Sequence, residues 1–224
     1  MTFDDHLQAA RATFHDWLRA VPDRARVVVF CHFDADGLGA GAVFGRALPC
    51  LRPDLEVVVV PSGRNESAFT DDARDRLRAL EPDALLVTDL GVNERGTLED
   101  GVPVLYVDHH RPSGAHGDAF VISGYDWDPI PCSAWLAHSL VHPGLEDAAL
   151  VEVVDWVAAV GVISDLGEKA PWPPLPAVKK RFTAKWLKET VALCNAARRA
   201  PTFDAQTALD ALMTFDDPKT LSTA

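Results

Sequence analysis

The sequence lacks the features that would place it outside a reducing aqueous compartment. Its four cysteines, Cys31, Cys50, Cys132 and Cys194, stand far apart without paired spacing, which argues against a zinc knuckle and against a disulfide framework. No secretory signal is expected, because the opening Met1-Thr-Phe-Asp-Asp-His6 is acidic and no small-residue cleavage site follows an apolar run. Nor is there a membrane span: the richest apolar stretch, Ala148 to Leu166, is interrupted by Glu152, Asp155 and Asp165 and reads as a core helix. Internal repeats and low-complexity segments are also missing. The expectation is a cytoplasmic globular protein without membrane contact. Its 224 residues, 48% of them hydrophobic, suffice for one sizeable core and a small appendage.

Positive charge is scarce as well. With 21 Lys and Arg against 33 Asp and Glu, the formal net charge is -12, a poor match to a surface that grips nucleic acid everywhere. Many of those acids could instead serve metal. The cations that exist gather in one stretch, Lys179, Lys180, Arg181, Lys185, Lys188, Arg198 and Arg199, which is either a solvated helix face or a phosphate-facing stripe.

What is present is a regular alternation of patterns. Helical spacing of Phe3, Leu7, Ala10, Phe14, Trp17 and Leu18 predicts an amphipathic helix over 4–20, closed by Pro22. Short apolar runs follow at 26–31, 56–60, 84–88, 102–107 and, more weakly, 119–122, each suited to a strand buried on both faces. Helical candidates at 38–48, 71–80 and 93–99 lie between them. This order predicts an α/β fold: a doubly wound, mostly parallel sheet of about five strands flanked by helices. From residue 133 the chain reads as helical, at 133–141, 146–164, 176–198 and 204–214, with the Pro-rich connector Pro171-Trp-Pro-Pro-Leu-Pro176 between. Residues 1–168 are expected to form the α/β domain, and 169–224 a connector with a helical C-terminal segment.

Ligands of such sheets bind at the carboxyl ends of the strands, and the polar residues fall there. His32, Asp34 and Asp36 follow the first run, Asp89 the third, and Asp108-His109-His110 the fourth. Small residues and glycines in His32-Phe-Asp-Ala-Asp-Gly37-Leu-Gly39-Ala-Gly41 let backbone approach a ligand closely. Helix capping is the plain alternative for Asp89, and a surface histidine pair the plain alternative for His109 and His110.

This set, His-x-Asp-x-Asp-Gly, a strand-end Asp, then Asp-His-His, resembles the DHH phosphoesterase superfamily. The likeness extends to Gly161-Val-Ile-Ser-Asp165-Leu-Gly167, which would supply a further aspartate, and to Pro131-Cys-Ser133-Ala-Trp, a small-residue helix entry. Cys194-Asn-Ala-Ala-Arg-Arg199 and the helix after it resemble the RecJ-like branch, with Arg198 where that pattern has glycine and Arg199 at its arginine. The likeness runs from about 26 to 218 and ends where a second, substrate-binding domain would begin.

The resemblance implies a two-metal phosphoesterase. Its ligands would be Asp34, Asp36, Asp89, His109 and Asp165, with His32 as an additional one. Oxygen and nitrogen donors without thiolate favour two Mn2+ ions, with Mg2+ as the alternative. One ion would sit on Asp34 and Asp89 with His32, the other on Asp36, Asp89, His109 and Asp165. His110 would act on the phosphoryl oxygens and Asp108 would orient His109. Arg64, Arg111 and Arg199 are the implied phosphate contacts. The leading expectation is a RecJ-like single-strand exonuclease. A phosphodiesterase or phosphatase for short oligonucleotides, cyclic dinucleotides or 3'-phosphoadenosine phosphate is the second, and a non-catalytic scaffold of a replication or repair assembly the third. Repair or replication partners fit the first and last.

Overall fold

The protein is described from a computed structural model, over residues 1–98 and 101–224. Five strands, β1 (Arg26–Cys31), β2 (Glu56–Pro61), β3 (Ala84–Thr88), β4 (Val104–Asp108) and β5 (Phe120–Ser123), form one all-parallel sheet in the order β2-β1-β3-β4-β5. Alternation sorts the apolar side chains between its faces. Val27, Val29, Leu86, Leu105 and Val107 enter the larger core cluster, while Val28, Phe30, Leu85, Val87 and Tyr106 enter the smaller one.

The helices are α1 (Phe3–Ala20), α2 (Ala35–Leu51), α3 (Asp71–Arg78), α4 (Ser133–Val141), α5 (Ala148–Leu166), α6 (Leu175–Phe182), α7 (Ala184–Arg199), α8 (Ala205–Thr214) and α9 (Pro218–Thr223). A capping box starts α1, in which Thr2 Oγ1 accepts from Asp5 N and the Asp5 carboxylate accepts from Thr2 N. Helix α2 is buried on nearly every side, between the sheet, α4, α5 and α8. Helices α6 to α8 pack onto α2 and α5, α9 packs onto α7, and Leu175, Val178, Leu187, Leu209 and Leu212 belong to the larger core. Among the described residues no helix is long and apolar enough to cross a membrane.

Two helix expectations need correction. The segment 93–98 is not helical, and residue 99 lies outside the described residues. Gly91 and Gly96 take positive φ there, and the Asn93 side chain accepts from Arg95 N in an Asx turn, which competes with helical bonding. This segment covers the smaller face with Val92 and Leu98, anchored by Thr97 N and Oγ1 on the buried Tyr106 hydroxyl, at 3.0 and 2.6 Å. The helix expected over 176–198 is broken at Thr183, whose φ of 60° ends α6 and redirects the chain into α7. Around those breaks the expected α/β architecture stands.

Candidate metal centre

The strand order reverses between β1 and β3, since β2 lies outside β1 while the chain continues through β3, β4 and β5 on the other side. A crevice at such a switch point receives loops from both neighbours. Here β1 delivers His32, Asp34 and Asp36, β3 delivers Asp89, and β4 delivers Asp108, His109 and His110. Asp165, near the end of α5, approaches the same place.

Each carboxylate is held by a local cause. Asp34 caps α2, its Oδ1 accepting from the amides of Asp36 and Gly37 at 3.1 Å each. Asp36 is buried, and its two oxygens accept from the opening amides of α4, Ser133 N at 2.8 Å and Ala134 N at 2.9 Å. It therefore sits at the positive ends of both α2 and α4. Gly161 permits that approach: a Cβ there would lie 2.4 Å from Ala134 Cβ and 2.9 Å from Asp36 Oδ1. Asp89 takes a left-handed backbone with φ of 63°, and among the described residues no helix follows it before β4, so it is not a cap. The Ser133 hydroxyl donates to its Oδ1 at 3.0 Å.

The donors converge. His32 Nδ1 stands 3.2 Å from Asp34 Oδ2 and 3.6 Å from Asp89 Oδ2, and His109 Nε2 stands 3.4 Å from Asp89 Oδ1 and 3.9 Å from Asp36 Oδ2. Three triads have ligand atoms mutually within 4.8 Å: His32, Asp34 and Asp89; Asp36, His109 and Asp165; and Asp89, His109 and His110. All six residues expected as ligands are thus brought together.

Asp108 corrects the expected arrangement. Its carboxylate accepts from His110 Nδ1 at 2.9 Å, from His110 N and from Gly91 N, so it orients His110 rather than His109. His109 turns instead toward Asp36 and Asp89, because adjacent residues after a strand point to different sides. The arginines are also rearranged. Arg199 is exposed at the end of α7, while Arg198 Nη1 lies 3.7 Å from Asp34 Oδ2. Of the two arginines, the one at the cluster is therefore Arg198, which stands where the RecJ-like pattern has glycine. Arg111 is exposed beside His110. Arg64 donates from Nη2 to the carbonyl of Ala200 at 2.9 Å and lies over the Phe203 ring.

Two aromatic residues escaped the sequence reading. Phe33, between His32 and Asp34, meets Phe203 edge to face at 5.3 Å. Phe33 could have been noticed as the spacer in the first motif, whereas Phe203 reaches the site through a turn with φ of 43°, which no residue pattern signals. Ser133 was visible only as a small helix entry.

Electrostatics match a cluster that expects cations. Burial, reinforced by the Asp89 charge, pushes the Asp36 carboxyl up to about 8. Burial opposes charge on His109 too, but its bond to Asp89 and the charges of Asp36, Asp89 and Asp165 outweigh this and push it up to about 9. His32 is likewise pushed up to about 9, its burial being outweighed by Asp34 and Asp89. Asp34 is drawn down to about 2, burial being outweighed by His32 and the Gly37 amide. The nearby thiol of Cys132 is held protonated by burial and by the Asp36 charge. The available donors are therefore carboxylate oxygens and imidazole nitrogens, a set that fits Mn2+ or Mg2+ better than a thiolate-seeking ion.

No family model matches the chain. Over 178 residues, 74% of the chain, it is 29% identical to the single-stranded-DNA-specific exonuclease RecJ of Thermus thermophilus, and it spans 26% of that relative's length. Among solved structures, exonuclease RecJ bound to manganese matches with a TM-score of 0.65 and 24% identity, over 97% of this chain and 63% of the other. RecJ from Thermus thermophilus in complex with Mn2+ gives 0.63 at 24% identity, over 97% and 36%. A DHH domain described as a member of a family of ribosomal proteins gives 0.66 at 15% identity, over 100% and 60%.

Proposed function

We propose that this chain, a RecJ-like domain of the DHH superfamily, hydrolyses phosphodiester bonds of single-stranded nucleic acid from an end, using two Mn2+ ions, or Mg2+. The observation that carries this reading is the convergence of Asp34, Asp36, Asp89, His109 and Asp165 at the switch point of the sheet. In this reading His32, Asp34 and Asp89 hold one ion, and Asp36, Asp89, His109 and Asp165 hold the other. Such a pair of ions supplies an acidified water at neutral pH and offsets charge on the phosphoryl oxygens.

The chain's own residues do the rest. The α4 amides aim Asp36, and the Ser133 hydroxyl aims Asp89. Asp108 fixes the tautomer and angle of His110, whose bond to that carboxylate raises its pKa despite partial burial. A half-exposed imidazolium there donates to a phosphoryl oxygen as negative charge builds. Arg198 presents a guanidinium beside Asp34, and Arg111 and Arg64 extend the phosphate contacts. Phe33 and Phe203 offer a base a stacking surface, a contact worth about 1–3 kcal/mol per base.

A shorter substrate is favoured by one observation. Much of the basic C-terminal stretch is engaged within the chain: Lys188 pairs with Glu168 at 2.8 Å, Arg181 pairs with Glu152, and Lys179 donates to the Glu168 carbonyl at 2.9 Å. These three of its seven cations then belong to a solvated face, which leaves Lys180, Lys185, Arg198 and Arg199 to meet a strand.

Substrate length separates the readings. Release should be measured with Mn2+ from 5'-phosphorylated single strands of graded length, dinucleotides, cyclic dinucleotides and 3'-phosphoadenosine phosphate. Activity on strands supports the exonuclease; activity confined to the small compounds supports the second reading; none at all sinks hydrolysis and leaves the scaffold. On strands, Phe203→Ala should raise KM by roughly 5- to 150-fold, the equivalent of one lost stacking contact. An unchanged KM would remove that ring from the substrate path.

The protonation states predict a pH effect. His32 and His109 have folded values near 9, above the ordinary 6.5, so the stabilisation they give is complete below 6.5 and is lost as pH rises through 9. Asp36, raised from 3.8 to about 8, adds a destabilisation that grows with pH up to about 8 and is constant above it. Ion-free protein should therefore melt at progressively lower temperature from pH 6.5 to 9, and Mn2+ should restore it while releasing protons. Melting scans in chelator and in Mn2+ test this, and a profile in chelator that stays flat contradicts it.

A further inference from the structure

We propose that His138, His142 and Asp155 form a second metal site, for a zinc-class divalent ion, at the opposite end of the α4–α5 pair from the phosphoester centre. His138 and His142 are four residues apart on α4 and its continuation into the 3-10 turn His142–Gly144, so both rings lie on one face. Their Nε2 atoms face the same oxygen, Asp155 Oδ1, at 2.8 and 3.7 Å. The three ligand atoms lie within 4.8 Å of one another. A tetrahedral ion with bonds of about 2.0–2.1 Å spaces its ligands about 3.3 Å apart, a value that those two distances bracket.

A plain hydrogen bond explains His138 with Asp155 but leaves His142 unexplained. The latter sits beyond hydrogen-bond reach of the same oxygen, with its ring 4.6 Å from that of His138. A cation shared by the three groups would bring both imidazoles within a few ångströms of the same carboxylate oxygen, as they stand here. The surroundings are those of a site closed on one side. His138 is buried and meets the edge of Trp172 at 4.9 Å, whereas His142 and Asp155 open into a cavity of about 330 Å³ lined also by Phe3, Trp135 and Pro173. Three protein donors and one open position are the arrangement of zinc sites that keep a water or a small anion.

Its donor set differs from the first centre. Two imidazoles and one carboxylate suit zinc and neighbouring transition-metal ions, whereas a carboxylate-rich shell suits manganese or magnesium. Asp155 lies ten residues before Asp165 on α5, about 15 Å along the helix. An ion here would join α4 to α5 at one end of the pair, while their other ends supply the Ser133 and Ala134 amides and Asp165 to the phosphoester centre.

Zinc should be added to chelator-stripped protein and counted after gel filtration, for the wild type, His142→Ala and Asp155→Asn. Each variant should retain one equivalent fewer than the wild type; any zinc held at the Asp36 and Asp89 cluster is common to all three and cancels. Cobalt(II) should give tetrahedral ligand-field bands with the wild type that disappear in His142→Ala. Zinc at about 100 times the Kd of this site should raise the wild-type Tm by roughly 5–10 °C more than it raises that of either variant. His142 is partly exposed and stands outside both core clusters, so its replacement leaves the fold intact. Equal zinc counts and equal cobalt spectra for wild type and His142→Ala overturn the proposal.

Discussion

Asp89→Asn is expected to fold normally and to lose Mn2+-dependent hydrolysis by roughly 10³-fold or more, the equivalent of about 4 kcal/mol in transition-state stabilisation. Asp89 is the carboxylate that His32, His109, His110 and Ser133 all approach, and in the proposed arrangement it alone serves both ions. Its left-handed φ of 63° would strain most side chains, but asparagine tolerates that region nearly as well as aspartate, so the backbone should stay in place. The Ser133 hydroxyl keeps an oxygen partner. What disappears is the negative charge that would lie between the two proposed cations. Rates and manganese stoichiometry should be measured together. Full activity in a folded Asp89→Asn protein would remove Asp89 from the chemistry, and with it the two-ion reading.

Gly161→Ala should lower stability and loosen the centre together. The added Cβ would meet Ala134 Cβ at 2.4 Å and the Asp36 carboxylate at 2.9 Å, and neither can swing aside, because one is a methyl fixed to α4 and the other is held by two amides. Overpacking of this kind costs about 1–3 kcal/mol, or a Tm lowered by roughly 2–12 °C in a chain of this length. Relief comes by moving α5 away from α4, which carries Asp165 away from Asp36. Manganese affinity should therefore fall along with Tm. A variant with lower Tm and unchanged affinity would show that α5 shifts without Asp165.

The difference between these two residues shows what the sequence could disclose. Asp89 was legible because a carboxylate directly after a continuous apolar run needs a reason, and because the runs at 26–31 and 84–88 are buried on both faces, so their ends are sharply defined. Gly161 stood inside a recognised motif, yet its role as the contact between three elements is a property of packing. The same holds for the arginines. Position along the motif pointed to Arg199, but the α7 helix turns Arg198 toward Asp34, and about 100° of rotation per residue decides which one reaches the cluster. Asp108 failed for a local reason: sequence adjacency to His109 suggested a partner, while the backbone turn after β4 folds His110 back onto it. Within the helix expected over 93–99, the described residues 93–98 are not helical, because Gly96 and an Asx turn break the pattern.

Asp108 has one more consequence. By accepting from Gly91 on the segment after β3 and from His110 after β4, a single buried carboxylate ties two strand ends into one unit. The freedom of Asp89 and the two imidazoles relative to one another is therefore largely spent during folding. An arriving ion or phosphate meets groups already in place, and its binding energy is not consumed in ordering them.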